Sequence, residues 1–164
     1  MNEFRRGYQS EGGESARVID SPVEMARAVG FEPVAKNQGW RREYSKEFVS
    51  ERADDLPDVV KILRSEDFHD GKLEEVRLGV RLKEGQIKWE LEHSILSENF
   101  LEWMAANGGD IDLVESVKEM GNSAEKGRLP KATMRARGYD LVAKIIRQAE
   151  ELGYFDYLRK SLTV

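Results

Sequence analysis

The chain has 164 residues, 40% of them hydrophobic and 35% charged, with a formal net charge of −5 and no cysteine. That length suits a single domain, which near 150 residues buries roughly 70% of the surface its unfolded chain exposes. The lack of cysteine excludes disulfides, thiol nucleophiles and Cys-ligated zinc or iron–sulfur sites, and no stretch of the sequence approaches the ~20 apolar residues a membrane helix needs.

The charge is unevenly spread. Residues 126–148 hold Lys126, Arg128, Lys131, Arg135, Arg137, Lys144 and Arg147 against Asp140 alone, a net +6, while residues 1–125 carry −10. Such a division bears on partners or self-contact rather than on fold.

Residues 1–17 read as a flexible arm in which Phe4 and Tyr8 alone could dock. The remainder, 18–164, reads as one globular domain of α+β class, predominantly helical, with one antiparallel β-hairpin packed on helices. No apolar run follows Met1–Ser15, so no signal peptide is expected and the cytoplasm is the expected location.

The first helix begins where Ser21 can cap, Pro22 takes the first helical position and Glu24 completes a capping box; Gly30 ends it. Residues 31–44 read as a loop or irregular strand. Ser45 can cap a second helix through about Ala53, and Leu56, Val59, Val60 and Leu63 have the 3,4 spacing of another through about Arg64. Glu66 to Gly71 is a polar turn. Val76, Leu78, Val80 and Leu82, then Ile87, Trp89 and Leu91, alternate with polar residues around Glu84-Gly85, which predicts a hairpin over 75–82 and 86–92. A two-residue loop would set Val80 opposite Trp89 and Leu78 opposite Leu91, with Arg81 unfavourably opposite Lys88. Helices follow. One is capped by Ser97 and ended by Gly108-Gly109. The next is capped by Asp110 and ended by Gly121, ahead of a polar loop to Arg128. A long one runs from about Pro130 to Leu152, and after Gly153 comes a short amphipathic tail to Leu162.

Chemistry-bearing patterns are sparse. His69 lies among Glu66, Asp67 and Asp70, a set that could hold a divalent ion but that also suits an acidic surface turn. His93 falls on the apolar side of the hairpin, where it reads as a core-edge histidine. Glu90 and Glu92 on the other side are expected to pair with Arg77, Arg81 and Lys83. Nucleotide-loop, HExxH and GxSxG motifs are absent, so no catalytic residue, metal or cofactor is assigned.

Two surfaces remain as binding candidates. The basic set Lys126, Arg128, Lys131, Arg135, Arg137, Lys144 and Arg147, with Trp40, Arg41 and Arg42 as a second spot, could meet phosphates. The sequence pI of about 5.3 weighs against nucleic acid. The tail residues Tyr154, Phe155, Tyr157, Leu158 and Arg159 have the composition of a protein interface, although docking on the chain's own domain suits them too. The expected function is a non-enzymatic protein-interaction module: an adaptor, inhibitor or small assembly subunit. The alternatives are a nucleic-acid-associated protein using residues 126–147 and 36–44, and a metal-assisted hydrolase around His69. Another protein is the expected partner, a homo-oligomer is compatible with the sequence, and no membrane contact is expected.

Overall fold

The computed structural model describes residues 19, 21–34, 41–47, 59–66, 75–82, 90–125 and 138–162. Their elements in chain order are α1 (Pro22–Ala28), β1 (Glu32–Pro33), β2 (Arg41–Glu47), β3 (Val59–Glu66), β4 (Glu75–Leu82), β5 (Glu90–Ser94), α2 (Glu98–Ala106), α3 (Ile111–Glu125), α4 (Tyr139–Leu152) and α5 (Tyr154–Leu162). The strands pair with their sequence neighbours in the order β1-β2-β3-β4-β5, all antiparallel.

The class is α+β as expected, and helix prevails over strand among the described residues, 55% to 30%. The single hairpin is corrected to a five-stranded meander. Two segments read as helical or irregular turn out to be strands. Val59, Lys61, Leu63 and Ser65 of β3 stand on one face and Val60, Ile62 and Arg64 on the other. Leu63, Leu78 and Tyr44 lie side by side in the ladder and join the core. The apparent 3,4 spacing of Val59, Val60 and Leu63 arose because Val60 and Ile62 on the second face are also apolar, and because Lys61 takes an inward position. Ser45 caps nothing: it lies inside β2, paired with Ile62. Residues 48–58, including the rest of that expected helix, lie outside the described residues, as do the arm at 1–17 and the turn from Asp67 to Gly71.

The hairpin has the predicted face and a different register. Val80 pairs with Leu91, Leu78 with His93 and Arg81 with Glu90. Relative to the two-residue loop, β5 is displaced by two residues, which keeps the apolar parity and replaces the Arg81–Lys88 clash with an opposite-charge pair. Residues 83–89, with Ile87 and Trp89, lie outside the described residues.

The sheet buries its even β4 residues Val76, Leu78 and Val80 beneath the helices, in one core with Phe100, Met104, Val117, Ile145, Ile146, Tyr154 and Phe155. Local signals placed the helix ends. The Ser21 side chain accepts from the Glu24 amide and the Ser97 side chain from the Phe100 amide, each at 3.2 Å. Gly153, at φ 89, separates α4 from α5. Gly121 does not end α3, which runs on to Glu125. A Cβ there would come within 3.1 Å of a Leu96 methyl, so this glycine answers to a close approach rather than to a stop. The long helix is described only from Tyr139; residues 126–137 lie outside the described residues. No described helix is long and apolar enough to cross a membrane.

Gly79 is the most closely approached of the described glycines. It sits opposite Glu92, and a Cβ on it would fall 2.1 Å from the Leu91 carbonyl oxygen and 2.5 Å from the Glu92 Cβ. Overpacking of this kind costs about 1–3 kcal/mol where the surroundings can yield, and here the obstruction is backbone. Gly79→Ala should therefore lower the urea midpoint by an amount at or above that range and speed amide exchange in residues 90–94. An unchanged midpoint would show that β4 and β5 are not held this closely.

Candidate functional site

Three arrangements of functional side chains stand out. The first covers the sheet face turned away from the core. Arg64 projects there from β3, its side chain 9% exposed. Its guanidinium donates to Glu43 on β2 at 2.9 Å and to Glu90 and Glu92 on β5 at 2.7 and 2.6 Å. Arg81 donates to Glu43 through both terminal nitrogens and to Glu90 at 3.2 Å. Arg77 links Glu92 at 3.4 Å and Glu75 at 3.3 Å. The expected pairing of Glu90 and Glu92 with Arg77 and Arg81 is present. Its centre, Arg64, was missed because its segment read as a helix; Lys83 lies outside the described residues.

This network holds its charges in place. Hydrogen bonding from Arg81, reinforced by Arg64, outweighs burial and depresses the Glu43 carboxyl from 4.5 to about 2. Burial pushes Glu90 up, but Arg64 and Arg81 together bring it below the usual carboxylate range. For Arg64 burial acts against the charge, yet Glu43 and Glu90 lift it above its ordinary value. These groups stay ionised throughout the physiological range, so they tie strands together rather than exchange protons.

The second arrangement lies between sheet and helices. Glu150 of α4 accepts from Lys46 of β2 at 2.8 Å and from Lys61 of β3 at 2.6 Å. Burial raises the Glu150 carboxyl and the two ammonium groups overcome it, leaving it lowered. Lys61 also lies 5.1 Å above the Phe155 ring and Lys46 5.9 Å above that of Phe31. The charged heads thus find partners in a sheet layer that alternation alone would assign to apolar residues.

The third is aromatic and reaches solvent. Tyr154 packs edge-on against Phe100 at 4.9 Å and Trp103 at 5.1 Å, and its hydroxyl lies 2.9 Å from His93 Nδ1. Burial, then neighbouring Tyr157, pushes its phenol above the ordinary value. His93 is on the helix-facing side, as its parity implied, and its partner is this hydroxyl rather than a backbone group. The interface residues predicted in the tail divide. Tyr154, Phe155, Leu158 and Arg159 are buried against the chain's own core, whereas Tyr157 is 43% exposed. Its ring lies 5.5 Å from that of the half-buried Trp103, a residue the sequence had placed only in a helix. The two form an aromatic ledge where α2 meets α5.

Of the predicted basic set, Lys144 and Arg147 are exposed on α4. Lys144 pairs with Asp140 at 3.3 Å, and Arg147 donates to the Ala28 carbonyl at 3.3 Å. Arg42 lies on β2, and Arg41 opens that strand. Lys126, Arg128, Lys131, Arg135, Arg137, Trp40 and His69 lie outside the described residues. Among the described residues no group of three or more His, Asp or Glu side chains is placed to hold a metal ion. No protein-family model, curated protein or solved structure matches the chain.

Removing one partner of a buried ionic cluster strands the others, at a cost of about 3 kcal/mol. Arg64→Met should lose stability on that order at pH 7, and the deficit should shrink near pH 4 as the crowded carboxylates take up protons. In the wild type the sign is the reverse. Glu43 is depressed in the folded state, so its contribution is complete above 4.5 and declines as the pH falls toward about 2. Urea midpoints measured against pH should follow this fall, and Glu43→Gln should flatten it.

Proposed function

We propose that this chain is a non-enzymatic protein-interaction module, an adaptor, inhibitor or small assembly subunit, and that it engages its partner through the aromatic ledge. The observation that carries this reading is the exposure of Tyr157 beside Trp103. The other four interface candidates of the tail are committed to the core. Tyr157 and Ile111, at 43% and 54%, are the exposed large hydrophobic residues among the described ones. Tyrosine and tryptophan dominate the energetic centres of protein interfaces, because each offers a wide rigid surface at low entropic cost. Trp103 is anchored on Tyr154, so the ledge is preorganised and binding need not order it.

The charged clusters support the same reading. A catalytic carboxylate or imidazole needs a proton affinity matched to its task. Glu43 and Glu90 on the sheet are instead held ionised by arginine, and the Tyr154 phenol is driven upward. Their arrangement favours a scaffold that positions a surface.

Affinity capture from the native host, with wild type and Tyr157→Ala compared at equal concentration, tests the reading. The expected result is one stoichiometric protein on the wild type and its loss from the variant, with both showing the same circular dichroism. Identical retention by the two proteins would place the contact elsewhere and overturn the ledge.

A further inference from the structure

We infer that Asn107 is a modification site: in the folded protein its side-chain amide is lost to water through a cyclic imide with Gly108, leaving aspartate and isoaspartate, and the loss loosens the end of α2. This goes beyond the interaction reading and does not rest on it.

The sequence contains one Asn–Gly step, Asn107-Gly108. It falls just past the last residue of α2, and both residues are exposed. Imide formation needs the backbone nitrogen after the asparagine to reach the side-chain carbonyl carbon. A side chain on the following residue obstructs that approach, and glycine has none. The space around Gly108 is open as well: a Cβ on it would come no nearer to its described surroundings than 3.9 Å, at a Leu152 methyl. The helix end is closed without the attacking nitrogen. The Trp103 carbonyl accepts from the Asn107 amide at 3.0 Å and the Met104 carbonyl from the Gly109 amide at 2.8 Å, while among the described residues the Gly108 N–H has no acceptor.

Ring closure takes the proton from the Gly108 nitrogen, joins that nitrogen to the Asn107 Cγ and breaks the bond from Cγ to Nδ2, which leaves as ammonia. Water then opens the imide. Opening at Cγ gives aspartate, and opening at the main-chain carbonyl gives isoaspartate, so that one water replaces one ammonia. The departing nitrogen has a structural duty. Nδ2 donates to the Trp103 carbonyl at 2.8 Å, which folds the side chain back over the last turn. Neither product can donate this bond. Each also sets a negative charge at the C-terminal end of a helix, where the macrodipole disfavours it. The bond must open before Cγ can turn toward Gly108, so the reaction draws on molecules in which the end of α2 is frayed, and exposed helix ends fray readily.

The test holds the full chain at physiological temperature slightly above neutral pH, digests it with pepsin in acid so that digestion adds no conversion, and maps it by mass spectrometry. A synthetic peptide of residues 103–112 in the same buffer gives the pace of the unstructured chain. Asn107 should gain the mass of an amide turned acid at no less than about a tenth of the peptide's rate, since frayed helix ends open at little free-energy cost. Asn99 and Asn122, exposed but inside helices and followed by Phe100 and Ser123, should keep their amides over the same time. An Asn107 that stays intact while the peptide converts, or that converts no faster than Asn99 and Asn122, overturns the site. The Asn107→Asp variant isolates the consequence. Its amides at 104–107 should exchange about two- to fivefold faster than those of the wild type, the scale of one charge set against the helix dipole, with residues 139–149 unchanged. Equal exchange in the two proteins overturns the loosening of α2.

Discussion

The sheet depends on Arg64 reaching across β4. Its partners Glu90 and Glu92 belong to β5, which is not adjacent to β3; β4 lies between them. The residue paired with Glu92 on β4 is Gly79, and the space its side chain would take is filled by the Leu91 carbonyl and the Glu92 Cβ. One arginine fastens β2, β3 and β5 on a face that the core does not reach. Ile62, beside Gly79 in the ladder and fully buried, lies on this face and outside the main hydrophobic cluster. Its burial fits the apolar stems of long charged side chains folding over it.

Much of the helical half was legible because its signals are local. A serine oxygen three residues before an amide, or a glycine at the left-handed position after α4, specifies an end whatever surrounds it. The β4 alternation was legible for the same reason. β2 and β3 were obscured because their inward positions include Lys46 and Lys61, whose neutralising partner Glu150 lies about a hundred residues further on. A charge that is buried only because a distant carboxylate receives it carries no period-2 signature. The two-residue displacement of β5 was hidden differently, since parity fixes the face but not the loop length.

The tail shows why composition alone misjudges a surface. Five neighbouring residues had the composition of an interface, and the helix divided them by spacing: Tyr154, Phe155, Leu158 and Arg159 turn inward and Tyr157 outward. Trp103 entered the ledge because α2 crosses that helix, a tertiary fact with no sequence counterpart. Arg159, whose composition suits an interface, is buried and has Asp156 within 3.6 Å.

Charge therefore has two uses in this protein. Lys46, Lys61, Arg64, Arg77 and Arg81 of the sheet are each spent inside the fold against a carboxylate. Glu98, Glu102, Asp112, Glu115 and Glu119 of α2 and α3 are exposed and form no ion pair among the described residues, and like charge concentrated in this way disfavours the compact state through self-repulsion.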